Sequence, residues 1–211
     1  MNLAEKIDEY IKNEYEIKQK EFEDYVFEKL TGENFNKGFM VFSKDTMTKE
    51  EAVEKKLDER YLYKNRYYYV EKLENNNDKK VIFVLFNSSG SNPEKLDSTV
   101  QNCREIALQE EFSQIEVLNL FSIRNPKVDK NELNEDIDSD NIDLINDLLC
   151  QRTDCDVVLA WGYGKEQEKK FQNRINSVKE IIKKYKLNPK KITVEEKKDK
   201  VSARIEDYCI G

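Results

Sequence analysis

Asn87, Asp97 and Arg124 set the chemical question. Asn87 lies in VIFVLFNSSGSN, where six apolar residues (81–86) give way to Asn87, Ser88, Ser89 and Gly90. An asparagine amide donates and accepts at once, which suits a nucleobase edge or an ordered water. The same side chain also caps its own turn. Ser88, Ser89 and Gly90 offer backbone N–H groups to an anion, or form a plain turn. Asp97 precedes a helix-patterned run from Ser98, so it can orient or activate a water or serve as an N-cap. Thr99 shares either role. Arg124, in NLFSIRNP, carries the planar fork that binds phosphate; a surface salt bridge is the alternative, and Pro126 stiffens the loop behind it. Trp161, the single tryptophan, suits stacking on a planar ligand or packing in the core. Gly162 and Gly164 resemble the start of a phosphate loop, a weak signal alone, and no G-x-x-x-x-G-K-[ST] motif occurs.

Other chemistries are excluded by what the chain lacks. It has no histidine, which removes histidine triads, His–Cys pairs and histidine metal sites. Cys103, Cys150, Cys155 and Cys209 form no C-x-x-C pair, so reduced thiols are expected, with no metal and no cofactor. The net charge of −7 argues against a global basic surface for duplex DNA and leaves room for a local basic groove. The lysine-rich stretches KKYKLNPKK and EEKKDK read as a solvated face. No apolar run is long enough to span a membrane, and the charged start, MNLAEKIDEY, is no signal peptide. A cytoplasmic protein is expected.

The elements that must position these residues follow from periodicity. Apolar positions from Leu3 to Leu30 predict one long helix over residues 2–30, ended by Thr31-Gly32. A short strand is predicted at 39–42, a polar helix at 48–59 and aromatic β structure at 60–70, followed by a turn at 75–78. From residue 80 continuous apolar runs predict strands buried on both faces at 81–86, 115–121 and 156–161, and a fourth at 191–194. Helices are predicted near 98–111, 141–149 and 165–186. The alternation predicts an α/β fold, a three-layer α/β/α unit with a mostly parallel central sheet. Residues 1–70 form an extension packed on an α/β core at 80–211. All three strands end in polar or unusual residues: Asn87 to Gly90, Asn119 to Arg124, and Trp161-Gly162. Ligands bind at the carboxyl edge of such sheets, so the endings predict one pocket.

The order RYLYKNRYYYV, FNSSGSN, LDSTVQNC, VLNLFSIRNP with Leu133, DN at 140–141 and VVLAWG resembles the domain of unknown function 1643 family of bacteria, archaea and phages. The match spans about residues 60 to 164. More distantly the layout is similar to the uracil-DNA glycosylase superfamily. That resemblance places Asn87 on the motif asparagine, Asn119 and Leu120 on the N-L pair, Arg124 on the motif arginine and Gly162 on the third glycine. It implies a uracil-DNA glycosylase-like fold in which the first motif positions water near the sugar. The chain departs from it at Ser88, where the motif has proline, and in lacking the histidine loop.

Two functions stand at this point. One is a nucleotide- or nucleobase-binding pocket protein, a hydrolase of N-glycosidic or phosphoester bonds with Asn87 and Asp97 as catalytic residues. Its ligand contacts would be Ser88, Ser89, Gly90, Thr99, Asn119, Arg124, Trp161 and Gly162, and its partners a nucleotide, a nucleobase or single-stranded nucleic acid. The other is a catalytically inactive interaction protein that binds a protein partner, for example a phage or mobile-element defence or anti-defence factor. Neither reading involves a membrane.

Overall fold

The computed structural model describes residues 1–125, 133, 138–162, 169–197 and 200–210. Pro126 and Gly164 fall outside them. Nine strands form one mixed sheet, ordered β1-β2-β3-β4-β6-β5-β7-β8-β9. They are β1 (Glu21–Phe22), β2 (Tyr25–Lys29), β3 (Gly38–Ser43), β4 (Arg66–Lys72), β5 (Lys80–Asn87), β6 (Gln114–Phe121), β7 (Cys155–Leu159), β8 (Asn188–Lys197) and β9 (Lys200–Asp207). The helices among the described residues are α1 (Leu3–Lys12), α2 (Lys49–Glu54), α3 (Ser98–Gln109), α4 (Ser139–Leu149) and α5 (Gln172–Tyr185).

The central strands are adjacent and parallel as their apolar runs predict: β5 pairs parallel with β6 and β7, and β7 with β8. The sheet as a whole is not mostly parallel. β1 to β4 run antiparallel to one another, β4 runs antiparallel to β6, and β9 to β8. For β1–β2, β2–β3 and β8–β9 the reason is connection length, since short links permit antiparallel return while parallel neighbours need a helical crossover.

The expected helix over 2–30 is also corrected. A capping box between Asn2 and Glu5 opens α1, but the helix stops at Lys12. Glu14 and Tyr15 then turn left-handed, with φ of 55° and 63°. Glu23, with φ of 50°, makes the turn between β1 and β2. Tyr15, Tyr25 and Val26 fit a helix stripe by spacing alone, yet aromatic and β-branched side chains suit a strand at least as well. Likewise the helix expected at 48–59 is only α2, ended at Lys56 (φ 56°), and the β structure expected from residue 60 starts at Arg66.

Both faces of β5 are buried. Ile82, Val84 and Phe86 join a core with residues of α1, α4 and α5; Val81, Phe83 and Leu85 join another with Val100, Cys103, Ile106 and Ala107 of α3. Each such side chain contributes roughly 1.5–3 kcal/mol of transfer free energy, so β5 belongs inside the sheet. The crossovers complete the pattern. From β5 the chain passes through α3 to β6 on one side, then through α4 to β7 on the other. The direction of winding therefore reverses between β5 and β7. No helix among the described residues is long and apolar enough to cross a membrane.

β6 carries a fully buried carboxylate, Glu116. Arg152 Nε donates to both its oxygens (2.9 and 3.1 Å), Gln114 Nε2 donates at 2.7 Å, and the Tyr68 hydroxyl donates to Oε2. Arg152 Nη2 lies 2.6 Å from Asp8 of α1. Tyr15 donates to Gln114 Oε1 at 2.7 Å. Removing one partner of a buried pair strands the other charge, at a cost of about 3–5 kcal/mol. Arg152→Met is therefore expected to destabilise the protein by about that much, read from urea unfolding midpoints, and Glu116→Gln combined with it should recover part of the loss.

Candidate functional site at the carboxyl edge of the parallel strands

A cavity of about 410 Å³ opens where the winding reverses, lined by Leu85, Phe86, Asn87, Ser89, Thr99, Ala160, Trp161 and Gly162. Five of the residues singled out from the sequence thus share one cavity. Asn87 ends β5, and both its amide hydrogens are spent, on Ser88 O (3.0 Å) and Asn125 O (2.8 Å). Two carbonyl partners fix the amide orientation, so Oδ1 is the group Asn87 can offer a ligand. Trp161 is buried to 8% exposure and joins the core with α4 and α5 while forming cavity wall. Gly162 follows at φ +58°. A Cβ there would find open space, 3.8 Å from Ala160 O, so the left-handed backbone favours glycine and crowding does not. Thr99 is exposed at the rim.

Asp97 stands behind the cavity wall. Its Oδ1 caps α3 by accepting from Thr99 N (2.9 Å) and Val100 N (3.1 Å). Its Oδ2 accepts from the Ser89 hydroxyl at 2.5 Å, from Ser91 N at 3.1 Å and from the Ser91 hydroxyl. Arg66 Nη1 lies 4.0 Å away. Burial pushes this carboxyl up, but Arg66, the two serine hydroxyls and the Val100 amide outweigh burial and hold it below the ordinary aspartate value. A carboxylate so occupied is a weak proton acceptor. Its work is to fix the 89–91 turn against the start of α3.

Arg124 does not line the cavity. It is fully buried, with its guanidinium 5.3 Å from the centre of the Phe42 ring. Its Nη1 donates to Tyr61 O (2.5 Å) and Tyr63 O (3.3 Å), and Nη2 to Ser91 O (3.4 Å). Burial, then the neighbouring Arg66 charge, lowers its pKa to about 10. Arg66, also fully buried and lowered by burial, donates to the same Ser91 O at 3.5 Å. Ser88 is buried too; its N–H, one of those expected to face an anion, donates to Phe121 O at 3.1 Å. Gly90 is half-buried near Leu57. Asn119 is fully buried on β6, in register with Leu85, and neither side-chain polar atom has a hydrogen-bond partner.

Several residues at this edge carry no sequence signal of burial. Arg66 is one. Asp138, Asn141 and Arg174 are others, and they secure the end of β6 from the opposite face. Asp138 Oδ2 accepts from Ser122 N at 2.5 Å, and burial raises its pKa. Asn141 Nδ2 donates to Asn119 O (2.7 Å) and Leu120 O (3.1 Å). Arg174 Nε donates to Leu120 O at 2.6 Å, with its guanidinium 4.3 Å over Phe121. The DN pair at 140–141 does mark Asn141. Among the described residues no group of three or more Cys, Asp or Glu could hold a metal ion.

The depressed Asp97 carboxyl makes a signed pH prediction. A group with a folded pKa below its unfolded value of about 3.9 stabilises the fold above that pH, and the contribution fades as pH falls through the folded pKa. Asp97→Ala should therefore be less stable than wild type at pH 7, by about 0.5–2 kcal/mol for the cap. The gap should narrow below about pH 4. Urea midpoints of both proteins at pH 7 and pH 3 check this.

Comparison with known proteins adds a family and no relatives of known activity. No curated protein and no solved structure matches the chain. A family model described as "Protein of unknown function (DUF1643)" matches residues 66–201. The matched region starts at Arg66 and takes in β4, the parallel strands and every cavity-lining residue. It covers well over half of the sequence, and the chain belongs to the DUF1643 family.

Proposed function

We propose that the cavity between the ends of β5 and β7 binds a nucleotide or nucleobase, within a three-layer α/β/α fold of the uracil-DNA glycosylase-like kind. Position carries this reading. In doubly wound sheets ligands bind beyond the carboxyl ends of the strands, at the point where winding reverses. The 410 Å³ cavity lies there, within the range of roughly 300–1,000 Å³ usual for small-molecule sites. Helices joining the cores on both sides of β5 support the layered arrangement.

The lining suits a base. Asn87 Oδ1 accepts from a ring or exocyclic N–H, or holds a water. Trp161 and Phe86 offer aromatic surface to a planar ring. Ser89 and Thr99 supply hydroxyls for a sugar. Hydrolysis of an N-glycosidic or phosphoester bond is the reaction class for such a site, with Asn87 as the group that holds the water. Asp97, saturated by the turn and the helix cap, acts as a positioning residue.

The single tryptophan makes the test direct. Nucleobases, nucleosides, nucleotides and short single-stranded oligonucleotides are titrated while Trp161 fluorescence and melting temperature are followed. At least one class is expected to shift both, since a ligand of the native state raises its melting point. Asn87→Ala should weaken that ligand about tenfold, the cost of one buried hydrogen bond of about 1.4 kcal/mol. No change with any class would overturn the reading and leave a protein-binding role for this edge.

A further inference from the structure

Beneath the cavity wall lies a charge imbalance that the pocket does not use. Arg66 and Arg124 are both fully buried, and both reach the same carbonyl, Ser91 O, at 3.5 and 3.4 Å. Those distances exceed the usual range for an N–H···O bond, so one carbonyl serves neither guanidinium well. Arg66 Nε and Nη2 and Arg124 Nε have no hydrogen-bond partner at all. Asp97 is the carboxylate beside Arg66, and its oxygens already accept five hydrogen bonds from Ser89, Ser91, Thr99 and Val100. Asp58, the other acid felt by Arg124, is paired with Arg60 at 2.8 Å. Two buried guanidiniums beside one half-buried carboxylate that is already occupied, with Asp58 engaged by Arg60, leave positive charge poorly compensated. A buried ion left that way is costly to the fold. Unmet donors in a native interior call for a specific explanation, such as an ion.

We propose that Arg66 and Arg124 form a buried oxyanion site that takes the phosphate group of the ligand. The inference rests on the base-binding reading and adds the class of ligand, a phosphorylated one. The chemistry fits: guanidinium N–H groups in fork geometry bind tetrahedral oxyanions through several charge-assisted hydrogen bonds. The path is short. Ser89 lines the cavity, its hydroxyl rests on Asp97 Oδ2, and that oxygen lies 4.0 Å from Arg66. On this proposal the 89–91 turn, which Asp97 holds in place, shifts on binding to join cavity and arginines. Released from Ser91 O, Arg66 Nη1 and Arg124 Nη2 are offered to the incoming anion, while Arg124 Nη1 stays on Tyr61 O and Tyr63 O.

The probe is inorganic phosphate, titrated into the full chain at constant ionic strength, with chloride as control and binding read by calorimetry and melting temperature. Wild type is expected to bind phosphate saturably. Arg124→Lys keeps the charge, loses the fork, and should bind at least tenfold more weakly. Arg66→Met removes a stranded charge and should bind no phosphate. Should Arg66→Met not fold, Arg66→Lys replaces it, with the same tenfold weakening expected. No response of wild type to phosphate, or folded variants of both arginines that bind like wild type, would overturn the proposal. Asn87→Ala separates the two readings. It should keep phosphate binding while weakening unphosphorylated nucleosides about tenfold. Phosphate binding without any nucleoside binding sinks the base-binding reading alone, and nucleoside binding without phosphate sinks this one.

Discussion

A carboxylate in the middle of a sheet has to be answered, and Glu116 is at zero exposure on β6. Leaving it charged without partners would cost several kcal/mol. The answers come from four directions: Tyr68 on β4, Gln114 on the same strand, Arg152 before β7, and through Arg152 the α1 residue Asp8. The antiparallel flank, the parallel strands and the first helix are therefore registered on one charge. Apolar packing supplies the bulk of the stabilisation but is tolerant of small slips. Directional bonds to a buried carboxylate are not, so this network fixes how β4 and β6 meet.

A second buried acid repeats the arrangement on the other face. Glu71 of β4 takes two bonds from Arg104 of α3, at 2.7 and 2.9 Å, and one from Tyr69 at 2.5 Å. These two networks belong to scaffold: both carboxylates are answered by donors, and Arg152 Nη2, which makes no hydrogen bond, is ion-paired with Asp8 at 2.6 Å. The carboxyl edge differs. There Arg66, Arg124, Ser88 and Asn119 keep buried polar atoms without partners. The contrast within one molecule is what separates a structural polar cluster from a place built to receive something.

The sequence shows the parallel strands plainly because VIFVLF and its two counterparts are apolar on both faces, a pattern that only an interior strand needs. Asp97 reads correctly as a cap because the helix behind it begins at once. The N-terminal third reads poorly. Tyr15, Phe22 and Tyr25 fall on a helical stripe by accident of spacing, and the left-handed turns at Glu14, Tyr15 and Glu23 use residue types that do not announce them. β9 is missed because KVSARIED has the polarity of an exposed segment. The buried arginines are missed for a different reason. In a chain that is 37% charged, Arg66 and Arg174 look like any surface cation. Only the tertiary structure shows that Tyr69, Phe121 and the strand ends enclose them. Arg124 was legible as chemically apt, but its depth was not.

The order of the sheet also bears on how the molecule behaves among its own copies. A nine-stranded sheet has two rims of unpaired backbone groups, and such rims template strand addition. Here one rim is β1, only two residues long. The other is β9, whose sequence carries Lys200, Arg204, Glu206 and Asp207. A stub at one end and a charged strand of both signs at the other give an incoming strand little to pair with. Colloidal stability is thus written into the outermost strands, where sequence patterning is weakest, while the parallel centre gathers most of its unmet polar groups at the carboxyl edge.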